Sequence, residues 1–237
     1  MRAKLFESSP SQYELGEIVS IFKSQINLAR DLEDAKNSLA RQSDFTLLDF
    51  FRLVDLADNG YVTTRDMEGL LRDLHVFAKP DDVYLLVRHY SSLQDGRIRL
   101  SDFQTMWTPK DSYYRSLLNA RAPLAYAPRD RMSAFARPTV DAIARSLKLY
   151  IECERVAEDI RRRLAAKSWI NLLDVFRAVD KNEDGFITID EFASLLREFG
   201  VYANEQDLEG LLERYDKHFR GRVSYSEFVQ EVTPKLA

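Results

Sequence analysis

The chain has 237 residues, of which 45% are hydrophobic and 30% are charged, and its formal net charge is −4. This composition is typical of a globular protein of one or two domains and excludes a disordered chain. The chain contains no apolar run of the roughly 18 to 20 residues that a membrane-spanning helix needs. Its mild acidity gives no argument for a nucleic-acid partner, and a single cysteine, Cys153, with an N-terminus that lacks an apolar signal region leads us to expect a cytoplasmic protein.

Glycines recur at a fixed spacing along the chain. Four of the eight glycines form two pairs, Gly60 with Gly96 and Gly185 with Gly221; the members of each pair are 36 residues apart, and the two pairs are offset by 125 residues. The second residue after each glycine is β-branched and aliphatic, which suits a half-buried strand position: Val62, Ile98, Ile187 and Val223. Such self-similarity indicates a duplication of a duplication of one supersecondary unit.

The first predicted segment is residues 1–42. Few helix breakers occur between residues 11 and 41, so the segment is predicted to form one long leading helix over roughly that range. Its dense charges leave two interpretations open. The helix could present a solvated face and pack on its own lobe, or it could be an arm that binds a partner or forms a coiled coil. The same alternatives apply to a second leading helix at residues 139–167, which includes Arg161, Arg162 and Arg163.

Residues 43–110 form the first copy of the repeat, with twelve-residue loops at 55–66 and 91–102. Ser43 is the predicted N-cap of its first helix, and Ser168 is its equivalent in the second copy, residues 168–237. The apolar residues of that first helix recur at helical spacing and form one face: Leu47, Leu48, Phe51 and Val54. Each copy stops at a Thr-Pro-Lys sequence, at Thr108 to Lys110 and at Thr233 to Lys235, where the proline ends the last helix.

The segment 111–138 between the two copies contains Pro123, Pro128 and Pro138 and is predicted to be an extended linker. Its basic, aromatic-containing stretch leaves one alternative open. The segment could also tether the chain to an acidic partner, such as a tubulin surface or a nucleic acid.

The loop at residues 180–191 carries a complete set of oxygen donors. Side chains supply positions 1, 3 and 5, a backbone carbonyl supplies position 7, position 9 contributes directly or through water, and a bidentate carboxylate supplies position 12. In that order the predicted ligands are Asp180, Asn182, Asp184, Phe186, Thr188 and Glu191. With Gly185 at the sharp turn, this is the EF-hand calcium loop. The alternative is a surface loop of turn-forming residues. The sequence predicts one Ca²⁺ site, with Mg²⁺ as a competitor.

The other three loops have lost ligands. The substituted positions are Ala57 and Asp66 in loop 55–66, Leu93 and Arg99 in loop 91–102, and His218 and Arg220 in loop 216–227. Asp66 is one methylene shorter than the glutamate that grips Ca²⁺ with two oxygens, although weak binding of Mg²⁺ stays open for its loop. Arg220 puts a positive charge where the cation would lie. We therefore expect one working site and a hyperbolic binding curve.

The loop motif and the 36-residue pairing resemble the calmodulin superfamily. The leading helix, the paired loops, the Thr-Pro-Lys stop and Tyr113-Tyr114-Arg115 are similar to two-lobed EF-hand proteins of ciliated and flagellated protists. The resemblance implies an all-α fold with two EF-hand pair lobes. Each lobe would contain two EF-hands joined by a short β-bridge and preceded by a long helix, and a linker would join the lobes. It also implies a cytoskeletal or axonemal setting, in a cilium or flagellum.

Two functions remain open from the sequence. The first is a non-catalytic calcium-binding regulatory protein whose one intact site modulates contact with a dedicated protein partner. A dedicated partner is favoured because residues 168–237 contain no methionine, whereas promiscuous sensors use methionine-rich grooves. The lobe instead has phenylalanines that we expect to pack between its hands: Phe176, Phe192, Phe199, Phe219 and Phe228.

The alternative is a largely calcium-independent structural subunit of a cytoskeletal or axonemal assembly, with microtubule or axonemal proteins as partners. In that case the EF-hand lobes would serve as a scaffold. An enzyme is not expected, because the chain has no Gly-rich phosphate loop, no His-Glu-x-x-His and no Gly-x-Ser-x-Gly motif.

Overall fold

The computed structural model describes residues 12–124 and 133–236, which form eleven helices and four two-residue strands. In chain order these are α1 (Gln12–Ala40), α2 (Leu47–Val54), β1 (Tyr61–Val62), α3 (Thr64–Asp73), α4 (Pro80–Tyr90), β2 (Ile98–Arg99), α5 (Leu100–Trp107), α6 (Ser112–Asn119), α7 (Arg137–Ala165), α8 (Leu172–Val179), β3 (Phe186–Ile187), α9 (Ile189–Glu198), α10 (Glu205–Tyr215), β4 (Val223–Ser224) and α11 (Tyr225–Val232). The predicted all-α class is confirmed. None of the described helices is long and apolar enough to cross a membrane.

The four strands form the two short bridges that the repeat predicts. β1 pairs antiparallel with β2, with Val62 opposite Ile98. β3 pairs in the same way with β4, with Ile187 opposite Val223. All four of these side chains are fully buried, so position 8 of each loop anchors the loop to the core of its own pair.

The chain divides into two compact units that do not follow the sequence repeat. Of the described residues, unit 1 contains those up to Ala29 and those from Ala157 onward, and unit 2 contains those between Arg30 and Val156. Helices α1 and α7 therefore each contribute residues to both units. The predicted linker 111–138 contains α6, and its residues 125–132 lie outside the described part of the chain.

Unit 2 is built around the aromatic side chains of its two hands. The ring of Phe50 in α2 lies 4.8 Å from the ring of Trp107 in α5 and 5.1 Å from that of Phe103. Trp107 in turn contacts Tyr150 of α7, with ring centroids 4.9 Å apart, and the Tyr150 hydroxyl donates to the Met106 carbonyl. The first half of α7 therefore completes this core.

Unit 1 repeats this design with α8–α11 and the first half of α1. Phe176 and Phe228 pack with ring centroids 5.8 Å apart, and Phe192 is also buried, as expected. Phe199 is half-buried. The expectation is wrong for Phe219, whose side chain is 82% exposed, because it lies in loop 216–227 and not on a helix face that packs in the core.

Helix ends confirm one prediction and correct another. α5 and α11 end at the residue before Thr108 and Thr233, as the Thr-Pro-Lys stops predict. The predicted N-caps Ser43 and Ser168 are wrong. The observed caps lie three residues later, at Thr46 and Asn171, whose side chains accept from the amides of Asp49 and Leu173.

Candidate metal centre

The loop from Asp180 to Glu191 connects α8 to α9 through β3. Its backbone has positive φ at position 4, Glu183, and at position 6, Gly185, where glycine accommodates the turn without strain. Positive φ recurs at the same two positions in the other three loops, at Asp58 with Gly60, Gln94 with Gly96 and Phe219 with Gly221. All four loops therefore share one backbone conformation, although only one has the full ligand set.

The first half of the loop is organised by its own amides. The two carboxylate oxygens of Asp180 accept from the Asp184 and Gly185 amides at 3.2 and 2.9 Å. Asn182 Oδ1 accepts from the Asp184 amide at 2.9 Å, and Asp184 Oδ1 accepts from the Phe186 amide at 2.9 Å. These bonds join the predicted ligands at positions 1, 3 and 5 to the backbone amides of one turn.

Glu191 closes the loop from its other end. Its Oε2 accepts from the amide and hydroxyl of Thr188, at 2.9 and 2.8 Å, which caps the first turn of α9. Its Oε1 accepts from the Lys181 and Asn182 amides at 3.0 and 3.4 Å. The carboxylate at position 12 is therefore buried and already reaches back to the start of the loop.

The chemistry of this loop fits a hard divalent cation. Its donors are carboxylate, amide and carbonyl oxygens, which are the ligands that Ca²⁺ takes. Among the described residues, no basic side chain lies within 4 Å of the carboxylates of Asp180, Asp184 or Glu191. No three His, Cys, Asp or Glu side chains of the described chain converge as a preformed metal cage, because these carboxylates bond to loop amides instead. The six-residue ligand set stays a prediction.

Loop 216–227 has the opposite electrostatic character, because it contains its own cation, Arg220. The buried carboxylate of Glu227 lies 2.6 Å from His218 Nδ1 and 2.7 Å from Arg220 Nη2. It also accepts from the amide and hydroxyl of Ser224, at 2.9 and 2.6 Å. Burial alone would raise its pKa, but the hydrogen bonds from Ser224, His218 and Arg220 together lower the pKa of Glu227 to about 2. Of the two side chains that replaced oxygen ligands, Arg220 therefore supplies a positive charge to the Glu227 carboxylate and His218 supplies a hydrogen-bond contact.

Loop 91–102 carries a similar internal cation in a different place. Arg99, at position 9, lies 2.7 Å from the carboxylate of Asp95 at position 5. The hydrogen bond from Arg99 is the main cause that lowers the pKa of Asp95 to about 2. Ser91 also donates to Asp95, at 3.1 Å, so position 1 donates a hydrogen bond where an EF-hand would place an oxygen ligand.

Loop 55–66 has no such internal cation among its described contacts. Asp55 accepts from the amides of Asn59 and Gly60 at 3.0 and 2.7 Å, as Asp180 does in the third loop. Asp66 Oδ2 accepts from the amide and hydroxyl of Thr63, at 2.8 and 2.6 Å, and so caps α3. The shorter aspartate makes the capping bonds of Glu191 but none of its bonds to the start of the loop.

A contact across each bridge was not found from the sequence. Position 7 is aromatic in the first loop of each pair and arginine in the second. The Arg222 guanidinium lies 3.8 Å from the ring centroid of Phe186, and that of Arg97 lies 4.6 Å from the ring centroid of Tyr61. Cation–π contacts of this kind contribute about 0.5–1 kcal/mol at exposed sites. The signal in the sequence is that both copies of the 125-residue repeat have an aromatic residue and an arginine at position 7 of their paired loops.

Two equivalent glutamates form a second feature that sequence reasoning missed. Glu158 accepts from the amides of Lys235 and Leu236, both at 2.9 Å, just after the second Thr-Pro-Lys stop. Glu33, 125 residues earlier, accepts from the amide of Lys110 at the first stop. Each glutamate therefore ties the end of a loop pair to the second half of its leading helix.

Comparison with known proteins agrees with this geometry. Residues 171–233 match the model of the EF-hand domain pair. The probable calcium-binding protein CML18 of Arabidopsis thaliana is 36% identical over 74 residues, which is 31% of this chain and 45% of that protein. The probable calcium-binding protein CML11 of Oryza sativa subsp. japonica is 40% identical over 65 residues, which is 27% of this chain and 31% of that protein.

A longer match is with calcium-binding protein E63-1 of Drosophila melanogaster, which is 27% identical over 180 residues, or 76% of each chain. The chain spans less than half the length of the two plant relatives. The matched domain pair at residues 171–233 and the similarity to these calcium-binding proteins agree with the shared backbone of the four loops.

Proposed function

We propose that the protein is a non-catalytic calcium-binding regulatory protein whose one site, in the loop from Asp180 to Glu191, modulates contact with a dedicated protein partner. The observation that carries this proposal is the electrostatic difference between the paired loops. The Glu191 carboxylate is buried against amides and the Thr188 hydroxyl, whereas the equivalent Glu227 is paired with Arg220 and His218. A divalent cation supplies to Glu191 in loop 180–191 the positive charge that Arg220 supplies to Glu227 in loop 216–227.

Selectivity between ions depends on Glu191. Ca²⁺ accepts six to eight oxygens in a flexible shell and takes both oxygens of a carboxylate, whereas Mg²⁺ demands near-octahedral geometry and dehydrates reluctantly. The long glutamate side chain already reaches the start of the loop at Lys181, so it suits the larger ion. Mg²⁺ at millimolar concentration competes for the same oxygens without using both oxygens of Glu191.

The test is titration calorimetry of the full chain with Ca²⁺, with and without millimolar Mg²⁺, in wild type and in Glu191→Gln. We expect one site of about 10⁻⁵ M or tighter in wild type, which is the range of sensors and buffers, and its loss in the variant. Asp66→Asn, at the same position of the first loop, is the matched control and should leave the titration unchanged. Absence of heat in wild type, or a titration that survives Glu191→Gln, would contradict the proposal.

The structural-subunit alternative is favoured by a specific observation. The loops at 91–102 and 216–227 keep the EF-hand backbone and bridges with internal cations in place of metal. Such a lobe could act as a scaffold in a cytoskeletal or axonemal assembly, in the cytoplasm, cilium or flagellum. Cosedimentation with microtubules, compared for wild type and Glu191→Gln at low and high Ca²⁺, separates the two. Equal pelleting in all four conditions supports the scaffold, and calcium-dependent pelleting of wild type alone supports regulation.

A further inference from the structure

The second EF-hand pair, α8–α11, holds a helix from the start of the chain. Phe22 of α1 is fully buried, and its ring meets Phe192 of α9 and Tyr215 of α10 edge-on, with centroids 5.2 and 5.6 Å away. Edge-to-face ring pairs of this kind are favourable beyond the area that they bury. The buried side chains of this half of α1 recur at helical spacing: Ile18, Val19, Ile21, Phe22 and Ile26. This is the geometry of an amphipathic helix in an apolar groove.

Polar contacts fix the position of this helix along the groove. The Tyr215 hydroxyl donates to Gln25 Oε1 at 3.2 Å. Nearer the start of α1, Lys167 Nζ lies 2.6 Å from Glu17, and the hydrogen bond from Lys167 lowers the pKa of Glu17. These two contacts lie about two turns apart on the helix. They define one register for residues 12–29.

The other unit holds the equivalent helix half in the same way. Residues 137–154 of α7 lie 125 positions after residues 12–29. Their buried side chains Ile143, Leu147 and Ile151 occupy the positions of Ile18, Phe22 and Ile26. All three belong to the same hydrophobic core as the first EF-hand pair. A helix half held by an EF-hand pair is therefore a repeated feature of the fold.

The groove is directly connected to the metal loop. Phe192, which contacts Phe22, immediately follows the predicted ligand Glu191 in the first turn of α9. Tyr215, whose ring also contacts Phe22, immediately precedes loop 216–227, and strand β4 of that loop pairs with β3 of loop 180–191. A cation that fixes Glu191 also fixes the turn of α9 that carries Phe192.

We infer that residues 12–29 of α1 are the internal helical partner of the calcium site, and that Ca²⁺ at Asp180–Glu191 tightens their docking. This inference rests on the proposed function. The sign follows from Glu191, whose carboxylate already faces the start of its loop while α1 is docked, so that metal binding stabilises the docked arrangement. By linkage, a docked α1 must strengthen Ca²⁺ binding by the same factor.

Hydrogen exchange of the full chain with and without saturating Ca²⁺ tests the inference. We expect amide exchange in residues 12–29 to slow by at least about fivefold, the lower end of typical coupling between sites. Residues 137–154, held by the pair without an intact loop, are the internal control and should not change. Calorimetry on the same sample reports whether Ca²⁺ binds. If Ca²⁺ binds but exchange in residues 12–29 is unchanged or faster, or slows equally in both helix halves, the inference alone is overturned. If calorimetry shows no Ca²⁺ binding, the proposed function is overturned as well.

Variants test the reciprocal effect. Phe22→Ala should weaken Ca²⁺ binding by at least about fivefold, because it removes both ring contacts. Leu147→Ala, at the equivalent position of α7, is the matched control and should leave the affinity unchanged. If Phe22→Ala does not fold, Phe22→Leu takes its place, since leucine is the residue of the other copy at that position. Wild-type Ca²⁺ affinity in a folded Phe22 variant would overturn the inference.

Discussion

Arg161 offers a quantitative test of how unit 1 is held together. The sequence leaves it open whether its three-arginine run lies on a solvated helix face, but the Arg161 side chain is 4% exposed. Its Nε donates to the Glu231 carbonyl at 2.7 Å, its Nη2 to Glu231 Oε1 at 2.6 Å and its Nη1 to Glu158 at 3.3 Å. The substitution Arg161→Met removes this charge but keeps a long, flexible side chain and a good helix former.

The expected cost depends on what the change leaves behind. Breaking a buried ion pair costs about 3–5 kcal/mol when the remaining charge has no other partner. Glu231 would still have Arg214 at 3.0 Å and Lys217 at 3.3 Å, and Glu158 would still accept from the amide of Lys235. The lower end of that range therefore applies, and we expect a loss of about 3 kcal/mol, which includes the lost bond to the Glu231 carbonyl.

Urea unfolding measures this loss in the full chain. In a Trp107→Phe background, Trp169 is the remaining tryptophan and reports unit 1. The midpoint should fall with an unchanged slope, since the surface exposed on unfolding stays the same. Arg162→Met is the control, because that side chain is 50% exposed and lies 3.7 Å from Glu158, and it should change stability by no more than about 0.5 kcal/mol. Equal effects of the two variants would refute the reasoning.

Two further predictions concern loop 216–227. The double change His218→Asp and Arg220→Asn removes the internal cation and the histidine beside Glu227. It should raise the number of Ca²⁺ ions bound in calorimetry from one to two, because Glu227 would then be free to bind metal. A count that stays at one contradicts the role given to Arg220. The pKa of Glu227 is lowered to about 2 in the folded state, so its stabilisation is fully present above the unfolded pKa of about 4.3 and is lost as pH falls toward 2. In wild type the urea midpoint of unit 1 should therefore decrease as the pH falls from about 4.3 toward 2, and in Glu227→Gln this decrease should be smaller. An equal decrease in the two proteins would show that other groups are responsible.

The loops and bridges could be predicted from the sequence because each depends on a local requirement. Gly185 and its three equivalents mark the turn, and a β-branched residue two positions later marks the bridge, so the register follows from short-range spacing. The helix N-caps show the limit of this approach. Ser43 and Thr46 are both good caps on composition, and only the bond between Thr46 Oγ1 and the Asp49 amide decides between them.

The contacts of the leading helices could not be predicted in this way, because they join residues far apart in the chain. The repeat aligned Glu33 with Glu158 and the two Thr-Pro-Lys stops with each other. It did not show that each glutamate receives the amides of the stop in its own copy. It also did not show that the first half of α1 belongs to the unit that contains the second copy.

Two of the three loops that lack the full ligand set contain an internal cation. Loops 91–102 and 216–227 reach the same result with arginines at different positions, Arg99 at position 9 and Arg220 at position 5. In each, a guanidinium attached to the chain neutralises a loop carboxylate that would otherwise need a metal ion, and it remains charged at every accessible pH. Such a loop carries its own counter-ion whether or not calcium is present. A calcium response then requires a loop whose acidic oxygens lack a built-in counter-ion. Loops 55–66 and 180–191 both meet this condition among their described contacts, and our proposal assigns the response to 180–191 because Asp66 does not reach the start of its loop as Glu191 does. Loop 180–191 lies next to the turn of α9 that holds Phe22.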